Sequence, residues 1–213
     1  RQERPFLRTI ARETLGQWMA EQLRGLSVDL RTRTRVVALD GSSIITADGE
    51  RIGFRSLIGA DGSLSIVRRL LGIPTRRVMP AIQYNVKDRY DEIAFYLDSD
   101  LFGAGYAWVF PHAEYTSIGC GAISSTIPGA SLKDRFHEWI DKHRLSVGGA
   151  RLEGWTINFD YRGHEFGNIF LVGDAAGFTS GLTGEGIYFA MVSGKEIAKK
   201  ILDPSYQTPE IRR

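Results

Sequence analysis

The stretch from Asn168 to Gly194 constrains the fold of this chain more than any other. Asn168-Ile-Phe-Leu-Val-Gly173 is a short apolar run ending in glycine, the pattern of a buried strand feeding a tight turn. Asp174-Ala-Ala-Gly177 follows at the strand's carboxyl end, where open α/β sheets place ligands. A glycine-rich turn through Gly184 and Gly186 then leads into Ile187–Leu202, which the spacing predicts as a long helix. Small residues at Ala190, Ser193, Gly194 and Ala198 let that helix approach a sheet closely. Asp174 can accept a hydrogen bond from a sugar-like hydroxyl. The helix tip between Gly184 and Ile187 offers unbonded N–H groups and about half a positive charge, which suits an electron-rich ring carbonyl. The alternative is a glycine-rich loop kept for tight packing.

A second constellation is Gly59-Ala-Asp61-Gly62-Ser-Leu-Ser65-Ile-Val-Arg68, after the apolar run Ser56–Ala60 and before a helical segment reaching Leu71. Strand, small-residue turn and helix start together make an anion site, because free backbone N–H groups point outward there. Asp61 either binds a hydroxyl or orients the loop; the plainer alternative is an ordinary Asp-Gly loop with Ser65 capping a helix.

The remaining chain supplies the frame. A helix is expected over Thr9–Leu23, then strands at Ser27–Leu30, Thr34–Leu39, Ser43–Thr46 and Arg51–Phe54, with Asp40-Gly41 and Asp48-Gly49 as turns. Four strand-like runs follow at Ala81–Lys87, Glu92–Leu97, Tyr106–Phe110 and Thr116–Ala122, which predicts an antiparallel sheet. Alternation puts Tyr106, Trp108 and Phe110 on one face, fit either for plain core packing or for a pocket wall. Ser131–His143 reads as an amphipathic helix with Ser131 as N-cap.

Composition excludes several classes. A net charge of +2 over 213 residues gives no argument for nucleic acid. The single cysteine, Cys120, excludes an internal disulfide framework and any multi-cysteine metal site, and fits a reducing compartment. The histidines have no ligand-like spacing, so no metal is expected. No apolar run approaches the ~20 residues of a membrane span.

These motifs carry a family resemblance. Gly59-Ala-Asp-Gly-x-x-Ser-x-Val-Arg68 resembles the Asp-Gly motif of the aromatic-hydroxylase-like flavoproteins, and Val172-Gly-Asp-Ala-Ala176 their Gly-Asp motif. The string Gly173 to Gly194, with Gly105-Tyr-Ala-Trp-Val-Phe-Pro111, resembles the geranylgeranyl reductases, which saturate isoprenoid double bonds. The resemblance implies an α/β (α+β) chain with an FAD-binding, glutathione-reductase-like nucleotide fold and an inserted antiparallel-sheet substrate domain. Residues 1–75 with 166–213 would form the first and 76–165 the second. The nucleotide fold is expected to be incomplete at its N-terminus, since no Gly-x-Gly-x-x-Gly precedes Arg12.

By the same resemblance, Arg12, Val36, Asp61, Gly62, Gly173, Asp174, Gly184, Gly186 and Ile187 would contact FAD. Tyr106, Trp108, Phe110 and Pro111 would line the substrate cavity. The expected activity is reduction of isoprenoid C=C bonds by hydride from reduced flavin, with NAD(P)H or ferredoxin as candidate electron donors and no assigned catalytic side chain. A flavin-dependent monooxygenase is the alternative enzyme, and a binding module built on a truncated flavoprotein fold the alternative outside catalysis. The expected location is cytoplasmic, with peripheral membrane contact following from the substrate class.

Overall fold

The computed structural model describes residues 8–211. It is a mixed α/β arrangement of three sheets. Helix α1 (Arg12–Glu21) comes first, three residues shorter at its N-terminal end and two at its C-terminal end than the expected Thr9–Leu23. The Ser27–Leu30 segment forms no strand, which corrects the sequence expectation: Leu26, Val28 and Leu30 are exposed and no neighbouring strand is there to pair with them. Strands β1 (Val36–Asp40), β2 (Ser43–Thr46) and β3 (Arg51–Gly53) form an antiparallel meander across the two Asp-Gly turns.

Strand β4 (Leu57–Gly59) enters the second sheet, followed by α2 (Ile66–Leu70). Late in the chain come β10 (Glu165–Phe166), β11 (Ile169–Leu171), the short α5 (Gly173–Ala176) and α6 (Ile187–Leu202). Strand β11 pairs parallel to β4, with Leu171 beside Gly59. That register brings the turn after β4 and the turn after β11 to one end of the sheet, although 110 or so residues separate them in sequence. Leu171, Ala175, Ala176, Phe178 and Ile197 are buried around this sheet, with Val67 of α2 against them.

The third sheet has the order β6-β7-β8-β5-β9. Its strands are β5 (Val78–Val86), β6 (Ala94–Tyr96), β7 (Tyr106–Pro111), β8 (Thr116–Gly121) and β9 (Leu152–Asn158), all antiparallel. One face buries Tyr84, Val86, Ala107, Val109, Ile118 and Cys120 under α3 (Ser99–Phe102) and α4 (Gly129–Lys142). Helix α4 contributes Leu132, Phe136, Trp139 and Ile140, the apolar side read from its spacing. Its cap differs from the reading: Pro128 is the N-cap, and Ser131 lies inside the first turn, donating to the Pro128 carbonyl (2.9 Å). Cys120 is fully buried, and burial pushes its thiol pKa up.

A buried ionic knot joins the sheets. Arg68 is 1% exposed and donates to the carbonyls of Ala175 (3.2 Å), Pro74 (2.8 Å) and Asp160 (2.7 Å). The Asp160 carboxylate, also buried, accepts from the Arg76 amide (2.8 Å), Arg162 (3.0 Å) and Arg77 (3.3 Å). Burial alone would raise the Asp160 pKa; the Arg76 amide and the Arg162 and Arg77 guanidiniums outweigh it and hold the carboxyl below the usual range. A folded-state value below the unfolded one, ~3.9, means a contribution to stability that is present above that unfolded value. It is lost as the pH falls through the folded value. Thermal unfolding followed against pH should therefore show wild type and Asp160→Asn converging in acid and diverging toward neutrality; a constant gap would contradict the pairing.

Candidate functional site

Parallel pairing of β4 and β11 sets two turns side by side, and a cavity of about 850 Å³ opens between them and the five-stranded sheet. Arg12, Gly62, Gly173, Asp174, Gly184, Gly186 and Ile187 all line it. Residues up to 175 positions apart in sequence, from α1 to the start of α6, are thus brought to one hollow. Among the described residues, no helix is long and apolar enough to cross a membrane.

Asp174 is the centre of this arrangement. It sits in the first turn of α5 and is half-buried. Its Oδ1 accepts from Thr179 Oγ1 at 2.6 Å, and its backbone carbonyl accepts from Asn158 Nδ2 at 2.7 Å. Asn158 is fully buried and also accepts from the Asp160 amide (2.9 Å), so the end of β9 locks the loop in place. Among the described residues the other carboxylate oxygen takes no protein donor, so it remains free for a ligand hydroxyl.

The tip of α6 stands directly beside this carboxylate. A Cβ added at Gly186 would lie 3.0 Å from Asp174 Oδ1 and 3.2 Å from Thr179 Oγ1. A side chain there would press on both groups, so glycine suits the close approach. Glu185 accepts from the Tyr188 amide (2.9 Å), which leaves Gly186 and Ile187 as the amides that open the helix on the cavity side. The helix is moored behind: the Gly173 amide donates to Ser193 Oγ at 2.9 Å. A carboxylate and a helix tip thus adjoin on one wall. The donor set fits a flavin nucleotide: an acceptor for a polyol hydroxyl beside N–H donors for a ring carbonyl, in a hollow of sufficient size.

Two residues of the expected set, Asp61 and Val36, do not line this cavity. Asp61 turns inward on its own loop, accepting from Ser65 Oγ (2.6 Å) and from the amides of Ile66 (2.7 Å) and Val67 (3.2 Å). It fixes the start of α2 together with Ser65, whose Oγ accepts from the Arg68 amide (2.9 Å). Asp61 therefore orients the loop, one of the two roles open to it in sequence. Val36 pairs with Thr46 in the meander and is not part of the cavity lining.

Tyr106, Trp108 and Phe110 share one face of β7, with ring centroids 5.8 Å apart at each step, and Phe95 of β6 packs across them. The row borders the cavity without lining it. The Tyr106 hydroxyl donates to the Thr183 carbonyl, tying this strand to the loop before α6, and burial raises its pKa. Pro111 ends the strand, its carbonyl accepting from Thr9 Oγ1 (2.6 Å). The sheet's share of the cavity wall is Gln83, Asn85, Glu153, Trp155, Thr156 and Ile157, with Tyr115 just ahead of β8. The reading in sequence passed over these, as it did Thr179 and Asn158. Thr179 had a signal, five residues beyond Asp174 in the same glycine-rich string; Asn158 had none.

Trp108 depends on a missing side chain. A Cβ at Gly119, its direct partner on β8, would lie 2.3 Å from the indole ring. Gly119→Ala should therefore displace Trp108 and cost about 1–3 kcal/mol of stability, read by thermal or denaturant unfolding. An unchanged midpoint would mean that the indole is not held there.

No protein-family model matches the chain. It is 31% identical to a chloroplastic geranylgeranyl diphosphate reductase of Oryza sativa subsp. japonica, over 73% of this chain and 36% of that protein. Among solved structures, it matches a geranylgeranyl bacteriochlorophyll reductase-like protein from Thermoplasma acidophilum with a TM-score of 0.66. Identity there is 25%, over 85% of this chain and 49% of the other. A probable FAD-dependent monooxygenase from Pseudomonas aeruginosa shares the fold, with a TM-score of 0.59 at 22% identity, over 90% of this chain and 61% of the other. The chain spans well under half the length of the plant relative.

Proposed function

Since the chain belongs to the geranylgeranyl reductase family of FAD-dependent oxidoreductases, we propose that it forms the flavin and substrate cavity of an enzyme that saturates C=C bonds of isoprenoid chains. The observation that carries this is the Asp174 carboxylate adjoining the Gly186 tip of α6 in one 850 Å³ cavity. Asp174, steadied by Thr179, would take a ribityl hydroxyl. The amides of Gly186 and Ile187 would take a ring carbonyl, where the helix dipole favours negative charge. Arg12 would sit at the margin of the same hollow. Bound there, FAD would supply the hydride.

The protein's own part is orientation and exclusion of water. Trp155 and Ile157 give the sheet wall an apolar stretch. The Tyr106–Thr183 bond closes sheet against loop. A glutathione-reductase-like nucleotide fold belongs to the same proposal. So does the division into residues 1–75 with 166–213 and an inserted unit 76–165.

Anaerobic turnover tests the reading. The protein is loaded with FAD, reduced with dithionite and mixed with a geranylgeranyl substrate in the absence of oxygen. Expected are return of the oxidised flavin spectrum and a product heavier by two hydrogens per double bond reduced. Product formed only when oxygen is admitted would reject alkene reduction in favour of hydroxylation. Absence of any flavin binding would reject the enzyme reading altogether.

A further inference from the structure

Resting on the reading of the cavity as a substrate site, we infer that the substrate offers the sheet wall an uncharged hydroxyl-type group rather than a diphosphate. A continuous row of polar side chains crosses four strands on the face turned toward Asp174. Trp108 Nε1 donates to Ser117 Oγ (3.0 Å), and Ser117 Oγ donates to Gln83 Oε1 (2.7 Å). Gln83 Nε2 donates to Asn85 Oδ1 (3.1 Å), and Asn85 Nδ2 donates to Glu153 Oε2 (3.1 Å). Cross-strand register accounts for the row: Trp108, Gly119, Gln83 and Glu153 stand in line from β7 to β9, with Ser117 and Asn85 paired one step along.

Every bond in the row runs in the same sense, so the dipoles reinforce one another and the amides are fixed in orientation. Gln83, Asn85 and Glu153 line the cavity. Each amide keeps a second N–H, and Glu153 a second oxygen. The wall therefore presents donors and acceptors together. A pure hydrocarbon placed against it would strip water from these groups and return no hydrogen bond. A hydroxyl, which both gives and accepts, replaces that water.

Charge disfavours the anionic alternative. Among the described residues, the charged side chains lining the cavity are Arg12 against Glu13, Glu153 and Asp174. Arg12 comes from α1, whereas the sheet wall itself carries Glu153 and no cation. A diphosphate brought to that wall meets a carboxylate.

Trp155, 44% exposed and lining the same cavity, supplies the readout. Its fluorescence is followed while geranylgeraniol or geranylgeranyl diphosphate is added, with Trp155→Phe as the blank. The alcohol is expected to bind about tenfold or more tightly than the diphosphate. Asn85→Leu combined with Gln83→Leu should remove at least that advantage. Glu153→Gln, an exposed and nearly isosteric change, removes the carboxylate charge and should strengthen diphosphate binding several-fold, narrowing the gap between the two ligands. Equal or tighter binding of the diphosphate by wild type would overturn the inference. So would alcohol affinity that survives the double change, diphosphate affinity indifferent to Glu153→Gln, or no response to either ligand. FAD titration of the same protein is scored separately, so a failure of flavin binding counts against the proposed function and not against this preference.

Discussion

Alanine at Asp174 is expected to weaken FAD binding by roughly 10- to 100-fold without unfolding the protein. A hydrogen bond to a charged group is worth about 1.5–3 kcal/mol, and each 1.4 kcal/mol is tenfold in affinity. The carboxylate is half-buried and already oriented by Thr179, so little ordering entropy remains to be lost when a ligand hydroxyl docks. The backbone carbonyl of residue 174 still accepts from Asn158 in the variant, so the loop keeps its anchor. Thr179→Val should give a smaller loss, since it frees the carboxylate to rotate without removing it. Fluorescence titration of FAD against the three proteins checks this, with melting temperatures as control. Equal affinity in wild type and Asp174→Ala would show that the carboxylate does not hold the cofactor.

Arg68→Met should be strongly destabilising, at about 3–5 kcal/mol. The guanidinium is buried and satisfies three backbone carbonyls, those of Pro74, Asp160 and Ala175. Methionine fills similar volume but donates nothing, so three carbonyls lose their donor and the Asp160 carboxylate loses the ion pair it makes with Arg68 at 3.8 Å. For a chain of this size the loss corresponds to a melting temperature lower by roughly 6–20 °C. The location gives the change a functional side. Arg68 lies in the helix after the β4 turn, and Ala175 lies in α5 directly after β11, so the residue clamps the two segments that meet at the cavity. Circular dichroism melts of wild type and variant decide it; a shift of a degree or less would mean that the knot is not a principal support.

How much of this was legible in sequence varied with the physics of each segment. The helix Ile187–Leu202 was read to the residue, because Gly186 and Asp203 bracket an uninterrupted helical spacing. The turn-bounded strand Ser43–Thr46 was equally clear, with Asp-Gly pairs on both sides. Strand β9 was missed. It is an edge strand, its burial pattern shows little alternation, and Gly154 and the exposed Trp155 blur its period. Helix α3 was too short to show a period; its signal lay in Asp98, which accepts from the Leu101 amide (3.1 Å). Ser27–Leu30 failed in the opposite way, since β-compatible residues make a strand only where a partner strand exists.

The site shows the same division. Asp174, Gly184, Gly186 and Ile187 could be named from sequence because strand, turn and helix follow one another locally. Asn85 and Glu153 could not. They meet through pairing of β5 with β9 some 68 residues apart, and nothing local announces that register. Asp61 shows the limit of reading a role from a residue type. A carboxylate two residues after a strand can face a ligand or cap its own helix, and here the three donors of its own loop take it.

A crystal structure of the protein grown with FAD is the most direct measurement. The grip described here predicts a ribityl hydroxyl within hydrogen-bonding distance of Asp174 and a ring carbonyl oxygen at the amides of Gly186 and Ile187. Flavin density bound elsewhere on the surface, with the hollow between Asp174 and α6 filled only by water, would contradict it.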